Sequence, residues 1–288
     1  MRYSLLILIA LIWGSQYIFN ATALQELTPF GLMSLRIFFG FITLTLFIWV
    51  IPQERHYHLT LTTELFMLFL SIGAVEAAIP FFLIAYGQLH VESSITAIIM
   101  GLIPMMTLLL EYFLKNRDGI RPKEIAGLAI GFFAVIVLVN PLATVSHVSV
   151  QGTIAIVTAA FCFALALILM AKIPKEISAL HATRFILLIY TLPLFGIWLY
   201  VTPNIAQLSL TTWESSMVLG TFSSGVVYLL YLKLIRMEGA GFTALSNYLV
   251  PLVGTLSGVY LLQEPFTPNI LLALALMTIA LFLLKKLH

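Results

Sequence analysis

The sequence predicts an all-α membrane protein: ten transmembrane helices in two inverted five-helix repeats, with both termini in the cytoplasm. Three observations lead there. The 288 residues are 61% hydrophobic and 9% charged, with a mean hydropathy of +1.07. A soluble domain carries about 25% charged residues, and it cannot hide this much apolar surface from water. Apolar stretches of membrane-spanning length follow one another along the whole chain, and the basic residues gather at alternate ends of them. The two halves also share residues at a nearly constant offset. The composition excludes a soluble enzyme, a nucleic-acid-binding domain and a disordered chain.

Crossing the hydrocarbon core takes about 20 mostly apolar residues. The spans that satisfy this are 3–21, 29–51, 64–88, 92–114, 123–140, 151–172, 179–201, 212–235, 240–261 and 268–286. The first ends in Ala21-Thr22-Ala23, which loosely mimics a leader cleavage site, but this span completes the internal repeat and is read as retained. The second begins at Thr28-Pro29 and stops at Pro52. The third carries Glu76 and the fourth Pro104. The turn residues from Asn116 to Pro122 separate the fourth from the fifth, and Pro141, Pro174 and Pro203 punctuate the next connections. Gly239 precedes the ninth, and Pro265 to Pro268 separate it from the tenth. No connection is long enough for a soluble domain.

The basic residues give this segmentation an orientation. Twelve of the fourteen fall on one side: Arg2, Arg55, Lys115, Arg117, Arg121, Lys123, Lys172, Lys175, Lys233, Arg236, Lys285 and Lys286. The other two, Arg36 and Arg184, lie inside spans. The positive-inside rule puts the twelve, and both termini, in the cytoplasm. The formal net charge of +2 does not suggest an acidic partner.

Thr96-Ala97, Leu102 and Pro104 recur 147 residues later as Thr243-Ala244, Leu249 and Pro251, as does Gly73 as Gly220. Leu32 and Arg36 recur 148 residues on as Leu180 and Arg184. The repeats are read as residues 1–143 and 144–288 of one integrated transmembrane domain. Five helices is an odd number, so the halves cross the bilayer in opposite senses. That is the architecture of secondary transporters, whose substrate site lies near the midplane between repeats.

Short motifs add a family resemblance. Trp13-Gly14-Ser15-Gln16-Tyr17 resembles the opening of EamA-like transporters of the drug/metabolite transporter superfamily. Arg36 and Arg184 resemble that family's arginine in the second helix of each half. Thr243-Ala244, Pro251 and the Leu262-Gln263-Glu264-Pro265-Phe266-Thr267 turn are similar to its signature between the fourth and fifth helices of a repeat. The first half departs from that signature, with Arg117-Asp118 where the glutamate would fall. The resemblance implies ten helices in two inverted bundles, a central cavity, and transport of small metabolites without ATP.

Ionisable residues within the bilayer are costly and are functional-site candidates by default. Glu76 stands twelve residues into its span, near the midplane at 1.5 Å per residue, among Ala74, Val75, Ala77 and Ala78. It could take up a proton or pair with a cationic substrate group; otherwise it is a protonated carboxyl bonded to a neighbouring helix. Arg36 and Arg184 either snorkel to an interface or anchor an anionic group, with Arg36 reaching Glu76. Glu111 pairs with Lys115 one helical turn on. Glu64, Glu214 and the loop acids read as solvated.

The remaining cavity candidates are Trp13, Gln16, Tyr17 and Asn20 in the first span, Tyr86 in the third, Ser223, Ser224 and Tyr228 in the eighth, and Asn247 and Tyr248 in the ninth. Ser223 and Ser224 fall around the position equivalent to Glu76, with Tyr231 beyond. Such a set suits a zwitterionic or cationic metabolite, an aromatic one included, by cation–π contact. The competing reading is interface anchoring by aromatics and helix glue by polar groups. Pro104 and Pro251 are hinge candidates, since proline removes a backbone donor and kinks a helix. Gly127-x-x-x-Gly131 and Gly254-x-x-x-Gly258 read as internal packing motifs, leaving a monomer or weak dimer.

No metal site and no cofactor are expected: the six histidines are scattered, and Cys162 is the single cysteine. His90 beside Glu92 is at most a pH-sensing pair. There is no G-x-x-x-x-G-K-[ST] loop, H-E-x-x-H or G-x-S-x-G, so neither ATP-driven transport nor the common hydrolases fit. The expectation is a transporter, not an enzyme. It sits in the bacterial inner membrane with lipid and a small-molecule substrate as partners, and it moves amino acids or related metabolites by alternating access, with export favoured. Uptake of a cationic metabolite such as a sulfonium or quaternary amine is the alternative, and a lipid-handling role a remote one.

Overall fold

In a computed structural model of the protein, residues 2–114, 121–139, 149–202, 204–243 and 246–284 are described. Among them the regular structure is helical, with no strand. The main helices are α1 (Arg2–Ala23), α2 (Pro29–Val50), α3 (Thr63–Gln88), α4 (Ser93–Leu114), α5 (Pro122–Val139), α6 (Val150–Met170), α7 (Ala179–Val201), α8 (Leu210–Gly239), α9 (Ser246–Leu261) and α10 (Pro268–Leu284). Seven of them, α1 to α4 and α6 to α8, are each long and apolar enough to cross a membrane. The junction carrying Arg117-Asp118, and the terminal Lys285 and Lys286, lie outside the described residues, as does Lys115, the expected partner of Glu111.

Local chemistry starts these helices where turn residues precede apolar runs. Thr28 Oγ1 accepts from Gly31 N at 3.1 Å, with Pro29 opening α2. Thr62, Ser149 and Ser209 cap α3, α6 and α8 in the same way. One boundary differs from the sequence reading. Residues 240–243, assigned to the start of the ninth span, continue the end of α8 past a kink at Gly239. There φ is 82°, a conformation comfortable only without a Cβ.

Three helices depart from regularity inside the bundle. α4 breaks at Gly101 and Leu102, whose N–H groups turn back to Ile98 and Ile99. Pro104, one of the two hinge candidates, has no N–H for the carbonyl of Met100 and stands just beyond the break. Its counterpart Pro251 sits inside an unbroken α9, so the equivalent prolines have different local consequences. Wide π turns interrupt α3 at Ala74–Ala78 and α8 at Thr221–Val226. They lie 147 residues apart, the spacing of the sequence repeat, and π turns leave carbonyls without their usual helical partners.

The principal packing joins one half of the chain to the other. α1 packs on α9 and α8, and correspondingly α6 packs on α4 and α3. α2 packs on α8 as α3 does on α7; α2 also pairs with α7, and α5 with α10. Exchanging the halves maps this set onto itself. Small residues allow the close approach that lipid-embedded helices need in the absence of a hydrophobic drive. A Cβ on Gly73 would meet the Tyr190 ring at 2.4 Å, and one on the equivalent Gly220 would meet Phe39 Cβ at 2.3 Å. Gly254 faces Ala97, and Gly131 faces Met105, so glycines of both G-x-x-x-G motifs serve internal contacts.

Several loop acids are not simply solvated, a correction to the sequence reading. Glu264, in the α9–α10 turn, accepts from Ser93 N at 2.7 Å and Ser94 N at 2.8 Å, closing the start of α4. Glu26 accepts from Ser209 N, Ser209 Oγ and Thr212 Oγ1 at the start of α8. Glu54 accepts from Ser178 Oγ at 2.6 Å at the start of α7. Glu264 and Glu26 accept backbone N–H groups, and Glu54 the hydroxyl of the Ser178 cap, each at a helix start of the opposite half, where the N-terminal dipole favours negative charge. The Thr212 hydroxyl, with Ser209, holds the Glu26 carboxyl below the usual carboxylate range. A lowered value means this cap contributes fully above the ordinary carboxylate range and is lost as pH falls below that range, through the lowered value. Glu64 and Glu214 are exposed as expected.

The Glu264 cap predicts a graded effect on thermal stability in detergent. Glu264→Gln keeps one acceptor and lowers the melting temperature slightly. Glu264→Ala orphans both N–H groups and costs about 1–3 kcal/mol. An alanine variant melting with the wild type would contradict the cap.

Candidate functional site

The π turn in α3 brings Glu76 into the centre of the bundle, 2% exposed. Pro80 follows four residues later and has no N–H to give the Glu76 carbonyl. That carbonyl instead accepts from the Tyr228 hydroxyl on α8 at 2.7 Å. The π turn in α8 does the same from the other half. The Ser223 carbonyl, 147 residues on from that of Glu76, accepts from an Arg36 terminal nitrogen at 3.1 Å and from Trp13 Nε1 at 3.4 Å.

Arg36 is 2% exposed, so it does not snorkel. Its Nε donates to Ser224 Oγ at 2.8 Å, and a terminal nitrogen also donates to Gln16 Oε1 at 2.7 Å. The guanidinium lies 3.7 Å from the centre of the Phe81 ring. Among the described residues no ion pair joins Arg36 to Glu76, so the direct contact open at the sequence level does not form. Arg184 is half-buried, bonds Thr45 Oγ1 at 3.0 Å, and takes no part in this centre despite its equivalent position.

Beside Glu76 lies a cavity of about 380 Å³, its open mouth included. Trp13, Gln16 and Tyr17 of α1 line it, with Glu76 of α3, Met100 and Ile103 at the break in α4, Phe163 of α6, Tyr231 of α8, and Asn247 and Val250 of α9. The unfilled gap is narrow, with room for about one water molecule. Trp13 meets Tyr231 edge-on at 4.7 Å. A second, wider hollow of about 740 Å³ sits by Met170, Lys175, Arg236 and Gly239, at the ends of α6 and α8.

The structure divides the sequence candidates into three groups. Trp13, Gln16, Tyr17, Glu76 and Asn247 line the cavity. Ser223, Ser224 and Tyr228 sit behind it, fixing Arg36 and the Glu76 carbonyl. Asn20 and Tyr86 lie elsewhere. Asn20 donates to Gln88 Oε1 at 2.9 Å, and Gln88 in turn donates to Ser93 Oγ and the Tyr17 carbonyl. Tyr86 is half-buried against His90 at 5.1 Å. Tyr248 belongs to α9, but its side chain falls outside the described residues. Sequence reasoning missed Phe81, Phe163 and both π turns. Pro80, four residues after an intramembrane acid, was the available signal for the first turn; nothing comparable marks the second.

Tyr228→Phe removes one hydroxyl and strands the buried Glu76 carbonyl. It is expected to cost about 1–3 kcal/mol, read as a lower melting temperature of the purified protein. Trp13→Phe should cost less, because Arg36 still serves the Ser223 carbonyl. Equal melting of Tyr228→Phe and wild type would show that the carbonyl finds another partner.

The pattern of the EamA-like transporter family matches residues 1–140 and again 150–285. The chain is similar to protein PagO of Salmonella typhimurium, 23% identical over 281 residues, covering 97% of this chain and 91% of the relative. It is also similar to a probable amino-acid metabolite efflux pump of Escherichia coli, 24% identical over 282 residues, covering 91% and 87%. A protein known from a crystal structure superposes with a TM-score of 0.67 at 16% identity, covering 97% of this chain and 99% of that one, which shows the shared fold. Two matches to one family pattern, falling on halves that pack across one another around a central buried acid, place this chain in the EamA-like transporter family.

Proposed function

We propose that this chain is a secondary transporter of the bacterial inner membrane that exports amino acids or related small metabolites by alternating access. The observation that carries this reading is Glu76: a buried carboxyl with Oε1 unpartnered, in a gap lined by helices of both halves. In the proposed topology all ten helices span the bilayer and the two five-helix units run in opposite senses, with both termini cytoplasmic. The gap must widen before a metabolite fits, and repeats joined mainly through interlocking faces can rock about such a site. The Escherichia coli relative, a probable amino-acid metabolite efflux pump, supports the substrate class and direction.

In this reading Glu76 couples transport to protons by exclusion. Its carboxylate holds either a proton or the cationic group of a substrate, so binding one releases the other. The unpaired oxygen also supports a second reading, uptake of a cationic metabolite with Glu76 as its counter-charge. The sign of accumulation separates the two.

In proteoliposomes with an imposed pH gradient, the wild type should concentrate its substrate. Glu76→Gln, which cannot ionise, should lose at least about tenfold of that gradient-driven accumulation. Full gradient-driven transport by Glu76→Gln would remove the coupling role. Reporters inserted near Arg55 and near Lys175 should report cytoplasm, and those near Glu92 and Asn204 the opposite side. Any reversal would overturn the proposed topology.

A further inference from the structure

Two atoms in the central gap lack the partners their chemistry requires. Glu76 Oε1 and Asn247 Nδ2 are buried, and among the described residues neither has a partner of good hydrogen-bond geometry, although Tyr231 stands beside Asn247. Each residue is 2% exposed and lines the same gap. An acceptor and a donor that both open onto one narrow, buried gap are satisfied together by a ligand that supplies both complements.

The charges around the gap restrict that ligand further. Among the described residues, Glu76 is the one charged residue in the lining, and no Lys, Arg or His accompanies it. Arg36 stands behind, with Nε and a terminal nitrogen given to Ser224, Gln16 and the Ser223 carbonyl, and its face on Phe81. Arg36 already offsets the Glu76 charge from behind the gap, so a ligand carboxylate would add a second negative charge with no further cation in the described lining to meet it. A quaternary ammonium or a sulfonium would balance the charge but has no N–H, leaving Oε1 unpaired. Trp13, Tyr17, Phe163 and Tyr231 supply aromatic walls that favour a cation and an apolar group next to it.

Resting on the transporter reading of this site, we propose that the substrate is a small primary or secondary ammonium compound. It bears one uncharged acceptor (an amide or ester carbonyl, or a hydroxyl) and an apolar or aromatic side group. The ammonium N–H donates to Glu76 Oε1, and the neutral acceptor receives Asn247 Nδ2. Within amino-acid-related metabolites this selects amides, esters and amino alcohols over the free amino acids, and it makes Asn247 a specificity-determining residue.

Four probes sharing one ring test this in proteoliposomes, against protein-free vesicles: phenylalaninamide, phenylalanine, N,N,N-trimethylphenylalaninamide and phenethylamine. Phenylalaninamide should half-saturate transport at a concentration at least about tenfold below phenylalanine and the trimethyl compound. Phenethylamine, which keeps the N–H but lacks the acceptor, should fall between. Asn247→Ala should raise the value for phenylalaninamide severalfold more than it raises that for phenethylamine, whose continued saturable transport shows that the variant is folded; equal shifts for the two probes would overturn the role of Asn247. Phenylalanine or the trimethyl compound carried as well as the amide would overturn the proposal. So would movement of other solutes from a mixed labelled pool while none of the four moves, an outcome that leaves the transporter reading standing. Movement of no solute at all would overturn the transporter reading and the proposal with it.

Discussion

Inside a bilayer, a polar group without a protein partner has nowhere else to turn, and the centre of this molecule is organised around that constraint. The π turns in α3 and α8 release backbone carbonyls at positions 147 residues apart, Glu76 and Ser223. Each is satisfied from the opposite half: the first by the Tyr228 hydroxyl, the second by Arg36 and Trp13. The same bonds hold α1, α2, α3 and α8 at fixed distances. Arg36 is affordable there because Gln16, Ser223 and Ser224 offer it oxygens while Phe81 covers its face.

Around this centre the halves interlock rather than sit side by side. Glycines at equivalent positions, Gly73 and Gly220, let α3 meet α7 and α8 meet α2. At the bundle ends, Glu26, Glu54 and Glu264 reach across to start helices of the other half. A short turn can do this because a carboxylate needs only two or three exposed N–H or O–H groups, and every helix start presents them. The protein is thus joined by polar bonds at its middle and ends, with close-packed small residues between. The cavity lies where, among the described residues, the polar pairing at the middle is incomplete, at Glu76 Oε1 and Asn247 Nδ2.

Much of the site was visible in the sequence as single residues. An acid in the middle of an apolar run is costly, so Glu76 stood out; Trp13, Gln16, Tyr17 and Asn247 followed as polar or aromatic groups in other spans. Their grouping was not visible. Asn20 shares a helix face with Gln16, yet the arrival of Gln88 from α3 turns it into a structural tie. Arg36 and Arg184 looked equivalent, but acceptors from α1 and α8 surround only the first. The loop acids looked solvated because sequence cannot show which helix start comes within their reach.

By itself, the sequence determined the all-helical membrane character, the two-fold repetition, the central acid and the turn residues that cap helices. The repetition follows from residue matches 147 positions apart, and the rest from hydropathy and local hydrogen bonding, which act over one helix or less. Only the tertiary structure decided which carbonyls the π turns expose, which arginine is enclosed, and which donor and acceptor are left unpaired in the cavity. Those outcomes depend on contacts between different helices, several of them between residues more than a hundred positions apart, set by how two similar but non-identical halves fit against each other.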